Sequence, residues 1–219
     1  MIGVFDTARS GCGVKKSSVS KHFVAASLKQ LEDFDRRRFE TLNFAASFID
    51  GINFRGELIV VALGVSDDGT KHVLGLRQGE TENAEVVTAL LTNLRDRDLC
   101  SNRPTLFCLD GSKALAAAVN RIFGMNPVIQ RCQIHKLRNV EGHLPKQHQP
   151  EAHRRMKEAY AQNDVASAKR FLNDTMIRLQ TINRDAASSL AEGLDETLTV
   201  IRLAACPDTF RSLVFLYVM

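Results

Sequence analysis

Tryptophan is absent from this 219-residue chain, and tyrosine occurs only twice. Stacking of single-stranded bases on aromatic rings is therefore not expected as the main mode of binding. Long apolar runs are missing as well, so no segment is expected to cross a bilayer as a helix. Residues 1–20 lack an apolar stretch followed by a small-residue cleavage site. No secretion signal is evident, and the cytoplasm is the expected compartment. Cysteine is scarce, scattered and odd in number: Cys12, Cys100, Cys108, Cys132 and Cys206. Such cysteines read as reduced thiols, not as a disulfide scaffold. Glycine and proline number 13 and 5, which excludes a collagen-like chain. No internal repeat or low-complexity stretch is found.

What remains is an ordinary globular composition, 44% hydrophobic and 25% charged. The length fits one domain, or one domain with a smaller appendage, and suffices to bury a core. The net charge of +4 is mildly basic. It permits nucleic-acid binding without requiring it.

The pattern of the chain predicts a helix after Gly11-Cys12-Gly13, capped by Ser17 or Ser18. Phe44 to Ile49, Leu58 to Val65 and Lys71 to Leu76 read as three strands of an antiparallel meander, with a turn at Ser66-Asp67-Asp68-Gly69. Thr81 to Arg97 carries Val87, Leu90, Leu91 and Leu94 at helical spacing. Thr105 to Leu109 is a buried strand. A helix with Leu115, Val119 and Ile122 on one face follows, and then a strand from Pro127 to Arg131. The order is β-β-β-α-β-α-β, an α/β mixed sheet. Beyond residue 132 the periodicity is helical throughout. Apolar stripes run through Met156, Ala159 and Tyr160, through Val165 to Leu179, and through Leu190, Leu194, Leu198 and Ile201. They predict an all-α subdomain packed on itself.

Two aspartates stand out. Asp50 and Asp110 each close an apolar strand, and each precedes a glycine. Asp-Gly is a common turn dipeptide, so either pair alone could simply end a strand. A helical crossover, however, returns the fourth strand parallel to the sheet. If that strand lies beside the first, both carboxylates emerge at one sheet end. Two buried carboxylates there must share a proton or hold a cation. Hard oxygen ligands beside an open crevice suit Mg²⁺ or Mn²⁺.

These residues carry a resemblance. Phe48-Ile49-Asp50-Gly51, Val60 to Gly64, His72 to Gly79 and Thr81 to Val87 resemble segments of the Mutator-type transposases of bacterial insertion sequences. So do Leu109-Asp110-Gly111-Ser112-Lys113-Ala114-Leu115, Ile129-Gln130-Arg131-Cys132-Gln133-Ile134-His135-Lys136 and Glu192 to Leu198. The likeness runs in register over roughly residues 13–212.

The resemblance implies a ribonuclease H-like fold and a D-D-E triad that binds two divalent metals. Asp50 and Asp110 match the first two acids. It implies DNA transposition, by strand cleavage at element ends and strand transfer into double-stranded target DNA. It leaves room for a homo-oligomer, and it implies a nucleoid-associated bacterial protein with no membrane partner. Cys132-x-x-His135 matches the family's Cys-x-x-His signature. It places His135 near the active site as a phosphate-contacting or positioning group. Alone, His135 reads as a packed or capping residue. The same pair is half of a zinc site, but no second pair stands at suitable spacing.

Read against the family, the expected organisation has four parts. Residues 1–40 are the remnant of a helical DNA-binding region, and 41–131 the catalytic core. Residues 132–203 are a helical insertion, and 204–219 a divergent tail. The family's third acid follows a segment like Pro207 to Leu213, where this chain instead runs Val214 to Met219. Glu192 and Glu196, one helical turn apart, match positions other than the triad acid. The expectation is a truncated copy with little or no transposition activity. Its alternative is a non-catalytic DNA-binding remnant that interferes with intact transposase.

Residues 101–160 hold ten Lys or Arg against four acids. A phosphate-contacting surface and a solvated helix face account for them equally well. Gly111-Ser112-Lys113 lacks the Gly-x-x-x-x-Gly-Lys spacing of a phosphate loop, so a nucleotide-binding enzyme is the weaker rival class.

Overall fold

A computed structural model describes residues 16–79, 84–99, 104–124 and 127–204. Cys12, Cys100, Cys206, the Gly11–Gly13 break and the tail from 205 onward lie outside them. The chain divides into two compact units, one up to Arg37 and one from Arg38 onward. The first holds α1 (Lys16–Arg36). Ser17 and Ser18, expected as caps, lie inside that helix.

The second unit begins with three strands, β1 (Phe44–Phe54), β2 (Glu57–Ser66) and β3 (Lys71–Gly79). They form the expected meander, both pairings antiparallel. β1 runs five residues beyond the expected end at Ile49, so Asp50 lies within a strand. The extension follows from the tight turn at Arg55-Gly56. Both residues have positive φ, 54° and 89°, which matches the twist of a two-residue hairpin. At the next turn Asp68 accepts bonds from the Ser66 hydroxyl at 2.6 Å and the Thr70 amide at 2.9 Å.

α2 (Ala84–Asp96) then crosses to β4 (Thr105–Leu109), and α3 (Lys113–Phe123) crosses to β5 (Pro127–Arg131). The five-stranded sheet has the order β3-β2-β1-β4-β5. β4 pairs parallel to both β1 and β5. The observed class is a mixed α/β sheet with helices. The apolar stripes of α2 and α3 pack on one sheet face. Phe39, Ile49, Leu74, Leu90, Leu91, Leu94, Phe107 and Val119 form that core.

After β5 come α4 (Gln133–Gly142), α5 (Gln149–Tyr160), α6 (Val165–Ile182), α7 (Arg184–Ala191), a 3-10 turn (Asp195–Leu198) and α8 (Thr199–Ala204). Leu137, Val140, Met156, Leu172, Leu190 and Leu198 are among the residues of a second core. Asp164 and Asn183 cap α6 and α7 by accepting backbone amides of the first turn. The stripe Leu190–Leu198–Ile201 is not one helix. α7 ends at Ala191, and Gly193 has φ 62°. The stripe's residues still reach the same core because the chain turns back on itself there.

The helical excursion returns to the strand it left. Gln130 of β5 is buried, and its side-chain amide donates to the Thr197 carbonyl at 2.9 Å. Its side-chain carbonyl accepts the Val200 amide at 2.9 Å. Val200 and Leu203 of α8 pack against Ala46, Val65 and Leu106 on the sheet face opposite α2 and α3. Among the described residues no helix is long and apolar enough to cross a membrane.

Candidate functional site

Ile49 of β1 stands opposite Leu109 of β4, the last parallel pair between them. The next residue on each strand is an aspartate. Asp50 and Asp110 therefore come level where the two strands part, and they line one cleft with Gly51 and Ser112. The space in that cleft is about 450 Å³, open solvent included. Two carboxylates buried here would have to share a proton or hold a cation. The Asp50 side chain is instead 52% exposed. Burial thus does not force a counter-charge, and the case for a cation rests on adjacency.

Asp110 is the better held of the two. Its Oδ1 accepts the Ser112 amide at 2.9 Å. Ser112 is the N-cap of α3, its hydroxyl accepting the Leu115 amide at 3.2 Å. One hydrogen-bonded turn thus fixes both the carboxylate and the start of the helix.

His135, on the first turn of α4, brings Nε2 to 3.8 Å from Asp50 Oδ1. That is too long for a hydrogen bond but within one ion-pair length. Its Nδ1 is buried and has no hydrogen-bond partner. Cys132 is the N-cap of α4. Its thiol accepts a hydrogen bond from the Cys108 thiol, which with the nearby His135 amide pulls Cys132 down to about 5. Cys108 moves the other way, because it donates that bond and is buried. Cys108 is a third zinc-type donor that sequence spacing did not reveal. Even so, no group of three His, Cys, Asp or Glu with metal-holding geometry occurs among the described residues.

The basic stretch 101–160 is partly dismantled by the fold. Arg131 and Lys136 are buried at 6% and 0% exposure, and neither offers its charge to a surface ligand. Arg154 pairs with Glu158 and Arg155 with Glu151 along α5. Arg103 lies outside the described residues. Glu192 and Glu196 do not share a helix. Glu192 is the C-cap of α7, and Glu196 sits in the 3-10 turn beyond Gly193.

Sequence reasoning missed the network around Arg131. Arg131 Nη1 donates to the Glu192 carbonyl at 2.9 Å, and Nη2 reaches Glu192 Oε2 at 3.3 Å. Lys113, the first residue of α3, lies 3.6 Å from the other Glu192 oxygen. The Arg131 guanidinium holds the Glu192 carboxyl below the ordinary range. Lys136 Nζ donates to the carbonyls of Ser189 and Glu192. Burial, and then the nearby Arg131 charge, brings Lys136 down to about 8. A lysine in a charge-rich stretch gives no sequence signal of such burial.

The family model for Transposase, Mutator family, matches residues 6–209, and the chain belongs to that family. It is similar to the transposase for insertion sequence element IS6120 of Mycolicibacterium smegmatis, 30% identical over 166 residues. That match covers 73% of this chain and 50% of the relative. The transposase for IS256 in transposon Tn4001 of Staphylococcus aureus is 29% identical over 174 residues, 74% of this chain and 43% of the relative. The chain spans about half the length of these curated relatives.

Proposed function

We propose that Asp50 and Asp110 hold a divalent cation, Mg²⁺ or Mn²⁺, at the end of a ribonuclease H-like sheet. On this reading the chain is the metal-binding portion of a transposase that acts on double-stranded DNA. The carrying observation is the β1–β4 register, which brings the two carboxylates level on a shared cleft. The donor chemistry fits: both ligands are hard oxygens, and Asp110 keeps one oxygen after bonding the Ser112 amide. Magnesium is commonly held by one or two carboxylates, with water and substrate phosphate completing its shell.

Bound there, such an ion would supply positive charge to a phosphoryl oxygen under attack. The chain's own residues do the rest. Ser112 orients Asp110 through its amide. His135 stands beside Asp50 as a positioning or phosphate-contacting group. The family's two-metal chemistry calls for a further carboxylate. Glu192 is committed to Arg131 and Lys113, and we do not assign it that role.

The second reading is a DNA-binding remnant without strand cleavage that interferes with intact transposase. It is favoured by the count of two carboxylates, not three, at the described cleft. Purified chain, titrated with Mn²⁺ by electron paramagnetic resonance and assayed for nicking of end-containing duplex DNA, tests both. Saturable Mn²⁺ binding lost in Asp50→Asn and Asp110→Asn supports the metal site. Binding without nicking supports the second reading, and nicking abolished by Asp50→Asn supports the first. Mn²⁺ binding unaltered by either substitution overturns the metal site.

A further inference from the structure

Arg131 ends β5 opposite Leu109, one residue short of the level of Asp110. Its side chain is 6% exposed, yet its charge is not spent on a core acid. The guanidinium lies between two chain segments. On one side is Gly111, with φ 109°. A Cβ there would overlap Nε and stand 2.6 Å from Cζ. On the other side is Gly193, with φ 62°, where a Cβ would overlap Nη1. Two left-handed glycines thus let the backbone approach one guanidinium from two sides. The Nη atoms are held by Glu192, while Nε is buried with no hydrogen-bond partner. A buried donor left unbonded costs stability. The close approach of the Gly111 backbone is bought at that cost.

Behind Gly111 stands the turn that matters to the cleft. Asp110 Oδ1 is fixed by the Ser112 amide, and Gly111 is the only residue between them. Lys113, next in line, is drawn to the Glu192 that Arg131 holds. The Asp110–Lys113 segment is therefore braced twice from the helical side, once by contact at Gly111 and once by charge at Lys113.

We infer that Arg131 is a positioning residue for Asp110: wedged between Gly111 and Gly193, it sets the Asp110–Ser112 turn and so aims the carboxylate at the cleft it shares with Asp50. This rests on the reading of Asp110 as a metal ligand. The helical excursion takes part in the site through Glu192 and Gly193 without giving it a ligand.

Two variants of the full chain test this. Arg131→Lys keeps a positive charge and removes the flat fork. Gly111→Ala keeps Arg131 and removes the close approach. Two readouts are taken on each, alongside a thermal melt: hydrogen exchange of the Ser112 amide, and Mn²⁺ affinity by electron paramagnetic resonance. In both variants the Ser112 amide is expected to lose protection while the amides of β1 and β2 keep theirs. Mn²⁺ affinity is expected to fall about tenfold or more, as for other groups that orient a ligand. Ser112 protection unchanged in both variants overturns the proposal. So does a lowered melting temperature with Mn²⁺ affinity intact, since that is scaffolding alone. Should Ser112 lose protection while the unsubstituted chain binds no Mn²⁺, the bracing of the turn stands and the metal reading is what fails.

Discussion

Lys136, wholly buried on α4, gives its ammonium protons to the backbone carbonyl of Glu192 at the end of α7. The Ser189 carbonyl takes a second bond from the same group. A cation at the C-terminus of a helix answers both the unpaired carbonyls and the negative end of the helix dipole. Lys136→Met keeps most of the stem and deletes the donors. Loss of about 1–3 kcal/mol of unfolding free energy is expected at pH 7 from the orphaned Ser189 carbonyl, since the Glu192 carbonyl keeps the Arg131 guanidinium. The gap should also depend on pH. Lys136 sits near 8 when folded, against an ordinary 10.5, so between those values the unfolded chain binds more protons at this site. Its contribution to stability rises with pH across that window and is flat outside it. Urea melts of both proteins from pH 7 to 11 check this; a constant gap would refute it.

Gln130 makes a comparable join between β5 and the returning chain. Gln130→Ala takes the side-chain acceptor from the Val200 amide, while the Thr197 carbonyl keeps the Gln133 side-chain amide at 2.8 Å. A loss of about 1–3 kcal/mol follows, the usual desolvation cost of one buried donor left unbonded. Hydrogen exchange should show early opening of α8 while the β1–β2 amides stay protected. Equal loosening of both regions would contradict a local join.

Cys132 should alkylate at a lower pH than an ordinary thiol, because the Cys108 thiol donates to it. Cys108→Ala removes that donor and should move the midpoint up towards the ordinary thiol range. Iodoacetamide labelling followed peptide by peptide separates Cys132 from the other thiols. No shift on Cys108→Ala would mean that the two sulfurs do not interact.

Asp68 in the β2–β3 turn is held down to about 2 by the Ser66 hydroxyl, with the Thr70 amide helping. Its folded value lies below its unfolded one, so its share of turn stability is present above about pH 4 and is lost as pH falls through 2. A carboxyl-carbon NMR titration should show that midpoint, and Ser66→Ala should raise it. An ordinary midpoint in the unsubstituted chain would exclude the Ser66 bond.

Much of the architecture was legible because it rests on local signals. The short apolar runs marked the five strands, and β4 and β5 appear at the bounds their apolar residues set. The helical crossovers gave the parallel pairing that brings Asp50 and Asp110 level. The extension of β1 past Asp50 was not legible, because Arg55 at positive φ carries no hairpin signal of its own. Nor was the break at Gly193, where a stripe of leucines continues across a chain reversal. The cleft's acids could be read from repeated strand-Asp-Gly segments. The bracing by Arg131, Lys136 and Glu192 could not: its partners are about sixty residues apart and look like surface charge.

The helical excursion departs from β5 at Cys132 and rejoins the same strand through Thr197 and Val200. Its two ends are thus anchored side by side, like the base of a bracket. Whatever stands between them can lengthen, shrink or be exchanged at modest entropic expense, since closure depends only weakly on contour length. Diversification among relatives should then concentrate in α5 and α6, while the stems that flank β5 stay constant.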